Sequence, residues 1–96
     1  METKEEICLK LYIIGCSNAS NEMIIKLTTL LDANIKNYTL EIIDILKNPE
    51  QTIAANILAS PTLIKVKPFP EKRIIGNFPF NSLIKELNLP NLENSY

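Results

Sequence analysis

The sequence predicts an α/β domain with the element order βαβαββα. Three observations carry that prediction. Ile7–Ile14 is an almost wholly apolar, β-rich run whose only charge is Lys10. Apolar residues from Met23 to Ile35 recur at helical spacing, and a second β-rich run, Tyr38–Leu46, follows them. Beyond a helix start at Asn48-Pro49-Glu50, two short β-type runs, Thr62–Val66 and Lys72–Ile75, flank a turn rich in proline. The length, 96 residues, suits one domain, expected to be ordered over 7–89 with 1–6 and 90–96 frayed.

Each element has a local cause. A strand that is apolar on both faces belongs in the middle of a covered sheet, which places Ile7–Ile14 centrally. Gly15 ends it, and Ser17 or Asn18 is the candidate N-cap of the next helix. Met23, Ile24, Leu27, Leu30, Leu31 and Ile35 then form one apolar stripe, with Asn37 as a stop. Strand, helix and strand of these lengths imply a βαβ unit with parallel strands. Asn48 can cap the second helix, Pro49 fits its first position and Glu50 suits the positive end of its dipole. Ile53, Ala54, Ile57 and Leu58 give it an apolar face, and Pro61 requires it to end by Ala59 or Ser60. Proline has no N–H for a ladder, so Pro61 precedes the strand Thr62–Val66. The short link Lys67–Glu71 makes Thr62–Val66 and Lys72–Ile75 an antiparallel hairpin closed by Gly76. A final helix over Asn81–Leu89 buries Leu83, Ile84 and Leu87, with Asn81 as its cap.

Composition narrows the function. The hydrophobic share of 46% supports a core without disulfides or metal. A net charge of −1 gives no sign of a nucleic-acid or anionic-membrane partner. Histidine is absent, which removes the commonest general base and metal ligand. Cys8 and Cys16 are too far apart along an extended strand to bridge, and free thiols fit a reducing, cytoplasmic setting. The acidic start is unlike a signal peptide. No cofactor is expected.

Few residues suggest chemistry. Cys16 near a helix start is either a somewhat acidic thiol or an ordinary loop residue, and Cys8 reads as a small core side chain. Asp44, set among apolar residues, is expected to face an edge or to pair with Lys10 or Lys65. Lys65, Lys67, Lys72 and Arg73 gather around the proline turn, either as a basic rim for a partner or as edge-protecting charges. Phe69, Phe78 and Phe80 flank prolines near the same end and are either a docking patch or core.

A parallel βαβ half followed by ββα, with Pro61 just before the third strand, resembles the thioredoxin-like fold. That resemblance implies a cis Ser60–Pro61 bond. A thioredoxin would also need Cys-x-x-Cys after the first strand, where this chain reads Cys16-Ser17-Asn18-Ala19.

Four blocks carry a more specific resemblance: Lys10–Gly15, Ile42–Glu50, Ile57–Val66, and Pro68 and Pro70 leading into Arg73-Ile74-Ile75-Gly76. In this order, over residues 7–89, they resemble the KaiB family of cyanobacterial circadian clock proteins. The resemblance implies a non-enzymatic regulator that binds the KaiC ATPase and sequesters KaiA. It also implies two available folds: a thioredoxin-like monomer that binds KaiC, and a homotetramer with the order βαββααβ. The related kinase SasA carries a permanently thioredoxin-like version. From their grouping around the proline turn, Lys65, Lys67, Phe69, Lys72 and Arg73 are the candidate partner contacts.

The chain departs from the family pattern at positions that bear on fold choice. The family's acidic helix segment is replaced by Thr52–Asn56, and a family arginine aligns with Glu22. Asn77 stands in place of aspartate. Phe78-Pro79-Phe80 replaces a polar segment, and Glu86-Leu87-Asn88 replaces Gly-Leu-Asp. Glycine to glutamate adds about 1 kcal/mol of helix preference, and Pro79 limits how the following segment can be rebuilt. Asn77, Pro79, Glu86 and Asn88 are therefore expected to favour the thioredoxin-like monomer. Other readings stay open: a KaiB-like domain serving a partner outside the clock, or a thiol enzyme using Cys16.

Overall fold

The computed structural model describes residues 6–15 and 17–89, so Cys16, residues 1–5 of the expected frayed end 1–6, and the expected frayed end 90–96 lie outside the described residues. The elements are β1 (Cys8–Ile13), α1 (Asn18–Asn34), β2 (Thr39–Asp44), α2 (Pro49–Ala54), β3 (Thr62–Lys67), β4 (Lys72–Ile75), a 3-10 turn (Phe80–Ser82) and α3 (Leu83–Glu86). They form one sheet of order β2-β1-β3-β4. β1 pairs parallel with β2 and antiparallel with β3, and β4 closes the second edge against β3.

Strand alternation sends β1 side chains to two cores. Ile7, Leu9, Leu11 and Ile13 pack with Leu63 of β3, with Leu27 and Leu31 of α1, and with Leu83, Leu87 and Leu89 of the C-terminal segment. On the opposite face Tyr12, Ile43 and Ile64 pack with Ala55 and Ile57, which follow α2. Lys65 is the exception on an inner strand. It shares the face of Leu63, lies opposite Leu9 and is 1% exposed, so it is not the surface cation expected from the sequence.

The helix ends differ from expectation for identifiable reasons. Ser17 caps α1, its hydroxyl accepting from the Ser20 amide at 3.1 Å. α1 ends at Asn34 rather than near Asn37, because Ile35 turns extended and its side chain joins the core. α2 stops at Ala54, well before Pro61. Asn56 adopts the left-handed conformation (φ 56), and the amides of Asn56 and Ile57 donate to Ile53 O and Thr52 O. This is the bonding pattern of a Schellman cap, for which asparagine is the common substitute for glycine. The expected apolar face is not the buried one: within α2 Thr52 is buried while Ile53 and Ala54 are exposed, and beyond the cap Ile57 is half-buried and Leu58 exposed. Asn48 sits at the N-cap position without a side-chain cap bond, and its side-chain amide donates to Asp44 O instead.

The last helix is also shorter than expected. A 3-10 turn comes first, and neither Pro79 nor Ser82 makes a side-chain cap bond; Asn81 caps neither segment. α3 ends in the same way as α2. Asn88 is left-handed (φ 59), with the Asn88 and Leu89 amides donating to Lys85 O and Ile84 O.

Two measurements follow. Replacing Asn56 by valine forces a β-branched residue into the left-handed region and should cost about 1–2 kcal/mol. Asn56→Gly should be neutral or stabilising, both read by urea unfolding. The second concerns Tyr38, whose hydroxyl donates to Asp32 Oδ1 at 2.6 Å. Burial, then that hydrogen bond and the Asp32 charge, push the phenol from 10.0 up to about 12. The folded state thus holds this proton more tightly than the unfolded chain. Its stabilising contribution is full below pH 10 and is lost as pH rises through about 12. Tyr38→Phe should flatten the loss of unfolding free energy across that window.

Candidate functional site: an apolar rim at one end of the sheet

β1 and β2 end, β3 begins and β4 ends on the same side of the sheet, as the pairs Ile13–Asp44, Tyr12–Thr62 and Thr62–Ile75 require. The Ser60–Pro61 bond there is cis, as are Lys67–Pro68 and Phe69–Pro70. Pro61 donates nothing to the ladder, but its carbonyl accepts from Gly76 N at 2.9 Å. Gly76 has φ +87, which glycine adopts freely.

Asp44 ties two loops together at this end. Its Oδ1 accepts from Gly15 N at 3.2 Å and from Leu46 N at 2.9 Å. β2 ends there because the next residues fold into a turn, with the Lys47 and Asn48 amides both donating to Asp44 O. The carboxylate is satisfied by backbone amides, so the expected pairing with Lys10 or Lys65 gives way to this loop staple.

The same end exposes large apolar side chains. Ile14 is 54% exposed, Leu46 70%, Leu58 92% and Ile75 56%, with Ile53 of α2 at 75%. A notch of about 190 Å³ takes in Ile14 of these, lined by Ile13, Ile14, Ala19, Ser20, Met23, Ser60 and Pro61. Exposed apolar residues gathered at one end of a sheet are the kind of surface that docks another protein. Sequence reasoning missed this rim, because it extended α2 through Leu58. The available signal was Asn56, a residue that tolerates the left-handed end of a helix.

The expected partner residues are divided by the fold. β3 runs away from Pro61, so Lys67, Phe69 and Lys72 lie at the far end of the hairpin. Phe69 is 81% exposed, and Lys67 Nζ is 3.8 Å from Glu6. Arg73 bonds to Glu71 and to the carbonyls that follow α2. Lys65 is buried. Phe78 is buried in the core and Phe80 is half-buried against it, the two rings meeting edge to face at 6.0 Å, with Lys26 Nζ 4.9 Å from the Phe80 centroid. Cys8 is half-buried and a free thiol. Among the described residues, no group of three or more His, Cys, Asp or Glu could hold a metal ion.

Comparison with known proteins fixes the family. The KaiB domain model matches residues 10–89. The circadian clock oscillator protein KaiB of Synechococcus elongatus is 40% identical over 78 residues, 80% of this chain and 76% of that protein. The chain belongs to the KaiB family. A KaiB from Thermosynechococcus vestitus is 44% identical over 70 residues, 72% of this chain and 65% of that protein.

These KaiB relatives support a role as a circadian clock regulator. Solved structures show that the fold is thioredoxin-like. The N-terminal domain of Synechococcus elongatus SasA matches with a TM-score of 0.71 at 16% identity, covering 92% of this chain and 82% of that one. Mitochondrial thioredoxin 3 from Saccharomyces cerevisiae matches with 0.67 at 20% identity, covering 85% of this chain and 76% of that one.

Removing the loop staple should be costly. Hydrogen bonds to a charged group contribute about 1.5–3 kcal/mol each when shielded and less at a half-exposed site, so Asp44→Ala should lose about 1–2 kcal/mol in urea unfolding.

Proposed function

We propose that this KaiB-family chain is a non-enzymatic cytoplasmic regulator that docks on a KaiC-type ATPase and modulates its phosphorylation. The observation that carries the reading is the exposed apolar rim around Ser60–Pro61. Burying one large apolar side chain contributes about 1.5–3 kcal/mol, so three or four such residues suffice to anchor a partner. The hairpin tip, with Lys67, Phe69 and Lys72, is a second exposed surface available to the same complex or to KaiA.

The resting state in this reading is the thioredoxin-like monomer rather than the homotetramer. Phe78 and Phe80 support it by packing with the core that holds Leu83, Leu87 and Leu89. Glu86 lies inside α3, and Asn88 closes it in a conformation that asparagine tolerates. Pro79 introduces the 3-10 turn, and Asn77 is exposed beside it. An amide-resolved NMR map tests this part. Strand shifts over 81–88 in the major species would defeat it.

A partner outside the clock is the second reading. It is favoured by the departures from the family pattern at Glu22 and at Thr52–Asn56.

Calorimetry against a KaiC hexamer separates the two readings. The wild-type chain should bind, and Leu58→Ser combined with Ile14→Ser should weaken binding at least about tenfold, the equivalent of 1.4 kcal/mol. The same double variant should leave the thermal midpoint close to wild type, since both side chains are largely solvated. Absence of wild-type binding would favour the partner outside the clock.

A further inference from the structure

Arg73 stands apart from the other hairpin cations in what it touches. β4 pairs Arg73 with Ile64, whose side chain belongs to the core on the α2 face of the sheet. From there its Nη2 donates to Ala55 O at 2.7 Å and its Nη1 to Asn56 O at 3.3 Å. Its Nε is 3.0 Å from Glu71 Oε2, which holds the guanidinium in plane. Ala55 and Asn56 are the residues at which α2 ends, and their carbonyls point away from the helix with no successor turn to satisfy them. Only a planar fork of N–H groups reaches two adjacent carbonyls and a carboxylate together.

These bonds have a consequence for the rim. Immediately after Asn56, Ile57 packs on Tyr12, Ile43 and Ile64, while Leu58 projects outward at 92% exposure. The direction of Leu58 therefore depends on how firmly Ala55–Ile57 is held. Two devices hold it: the cap at Asn56 and the Arg73 guanidinium.

We infer that Arg73 is a positioning residue, which fixes the end of α2 and thereby aims Leu58 at a docked protein. The inference rests on the docking reading above for its biological use, but not for its structural content. Arg73 in this view does not itself touch the partner, contrary to the expectation from the sequence.

The test combines a partner-free and a partner-bound measurement on the full chain. Arg73→Lys keeps the charge and the aliphatic stem but loses the fork. Hydrogen exchange of the Asn56 and Ile57 amides should accelerate several-fold, up to about tenfold, while the Leu9 and Leu11 amides keep their wild-type rates. Unchanged exchange at Asn56 and Ile57 overturns the inference. In calorimetry against a KaiC hexamer, Arg73→Lys should weaken binding several-fold in the wild-type background. In a Leu58→Ser background it should change affinity by less than about twofold, because the two act through one contact. Additive losses mean that Arg73 touches the partner directly, and they overturn it as well. If the wild-type chain does not bind the hexamer, the docking reading fails and the exchange rates alone decide the role of Arg73.

Discussion

The strand β1 must be covered on both faces, and the rest of the structure follows from that requirement. Leu9, Leu11, Tyr12 and Ile13 are all at most 5% exposed. Leaving either face open would forfeit about 1.5–3 kcal/mol for each large side chain on it. One helix cannot satisfy both faces. α1 and α3 take the side of Leu9 and Leu11. The opposite side falls to the residues around the end of α2. Because β2 is parallel to β1 and β3 is antiparallel to it, the chain leaves β2 and enters β3 at the same end of the sheet. The connection does not have to return the full length of a strand, so a helix of six residues is sufficient. The short α2 and the loop after it are thus confined to the end where Pro61 lies.

That geometry explains which parts of the chain could be read in advance. Strands with strong β composition and clear flanks, such as Lys72–Ile75 between a proline turn and Gly76, appear with the bounds their residues suggest. The order of elements and the central place of β1 follow from apolar runs that no surface strand would carry. Helix ends were not legible in the same way. Spacing alone makes Ile57 and Leu58 continue the face begun by Ile53, but spacing is meaningful only while the helix continues. The left-handed turn at Asn56 breaks the phase, sends Ile57 inward and leaves Leu58 in solvent. Asn88 ends α3 with the same left-handed turn, but there the apolar set Leu83, Leu87 and Leu89 stays buried. A lysine such as Lys65 was equally opaque, because composition assigns it to the surface while the alternation of an inner strand takes it inside.

The candidate site inherits this pattern of success and failure. Ser60 and Pro61 lie where the order of elements put them, at the start of β3. The hairpin cations, grouped by sequence proximity, lie in different surroundings: Lys67 and Lys72 are at the tip, Lys65 is covered, and Arg73 reaches back to α2. Their neighbourhood in sequence spans a whole strand length in space, and alternation divides them between opposite faces. The apolar rim, by contrast, draws Ile14, Leu46, Leu58 and Ile75 from four separate segments. No window of sequence contains it, and it becomes visible only when the strand ends are aligned.

Under the docking proposal, magnitudes favour the rim over the tip as the main source of affinity. The tip offers cations, and Lys67 is already beside Glu6 at 3.8 Å, with both side chains more than half exposed. Exposed pairs of this kind contribute about 0–1 kcal/mol and weaken with salt. Exchanging one acidic partner for another gains little. Phe69 adds one apolar contact, largely by itself. At the rim several apolar side chains lie on a frame whose loops are already fixed by Asp44 and by the cap at Asn56, so little further ordering is needed when a partner covers them. A surface of this kind gains affinity from burial and loses little to entropy. The charged hairpin is better suited to steering an approach than to holding a complex.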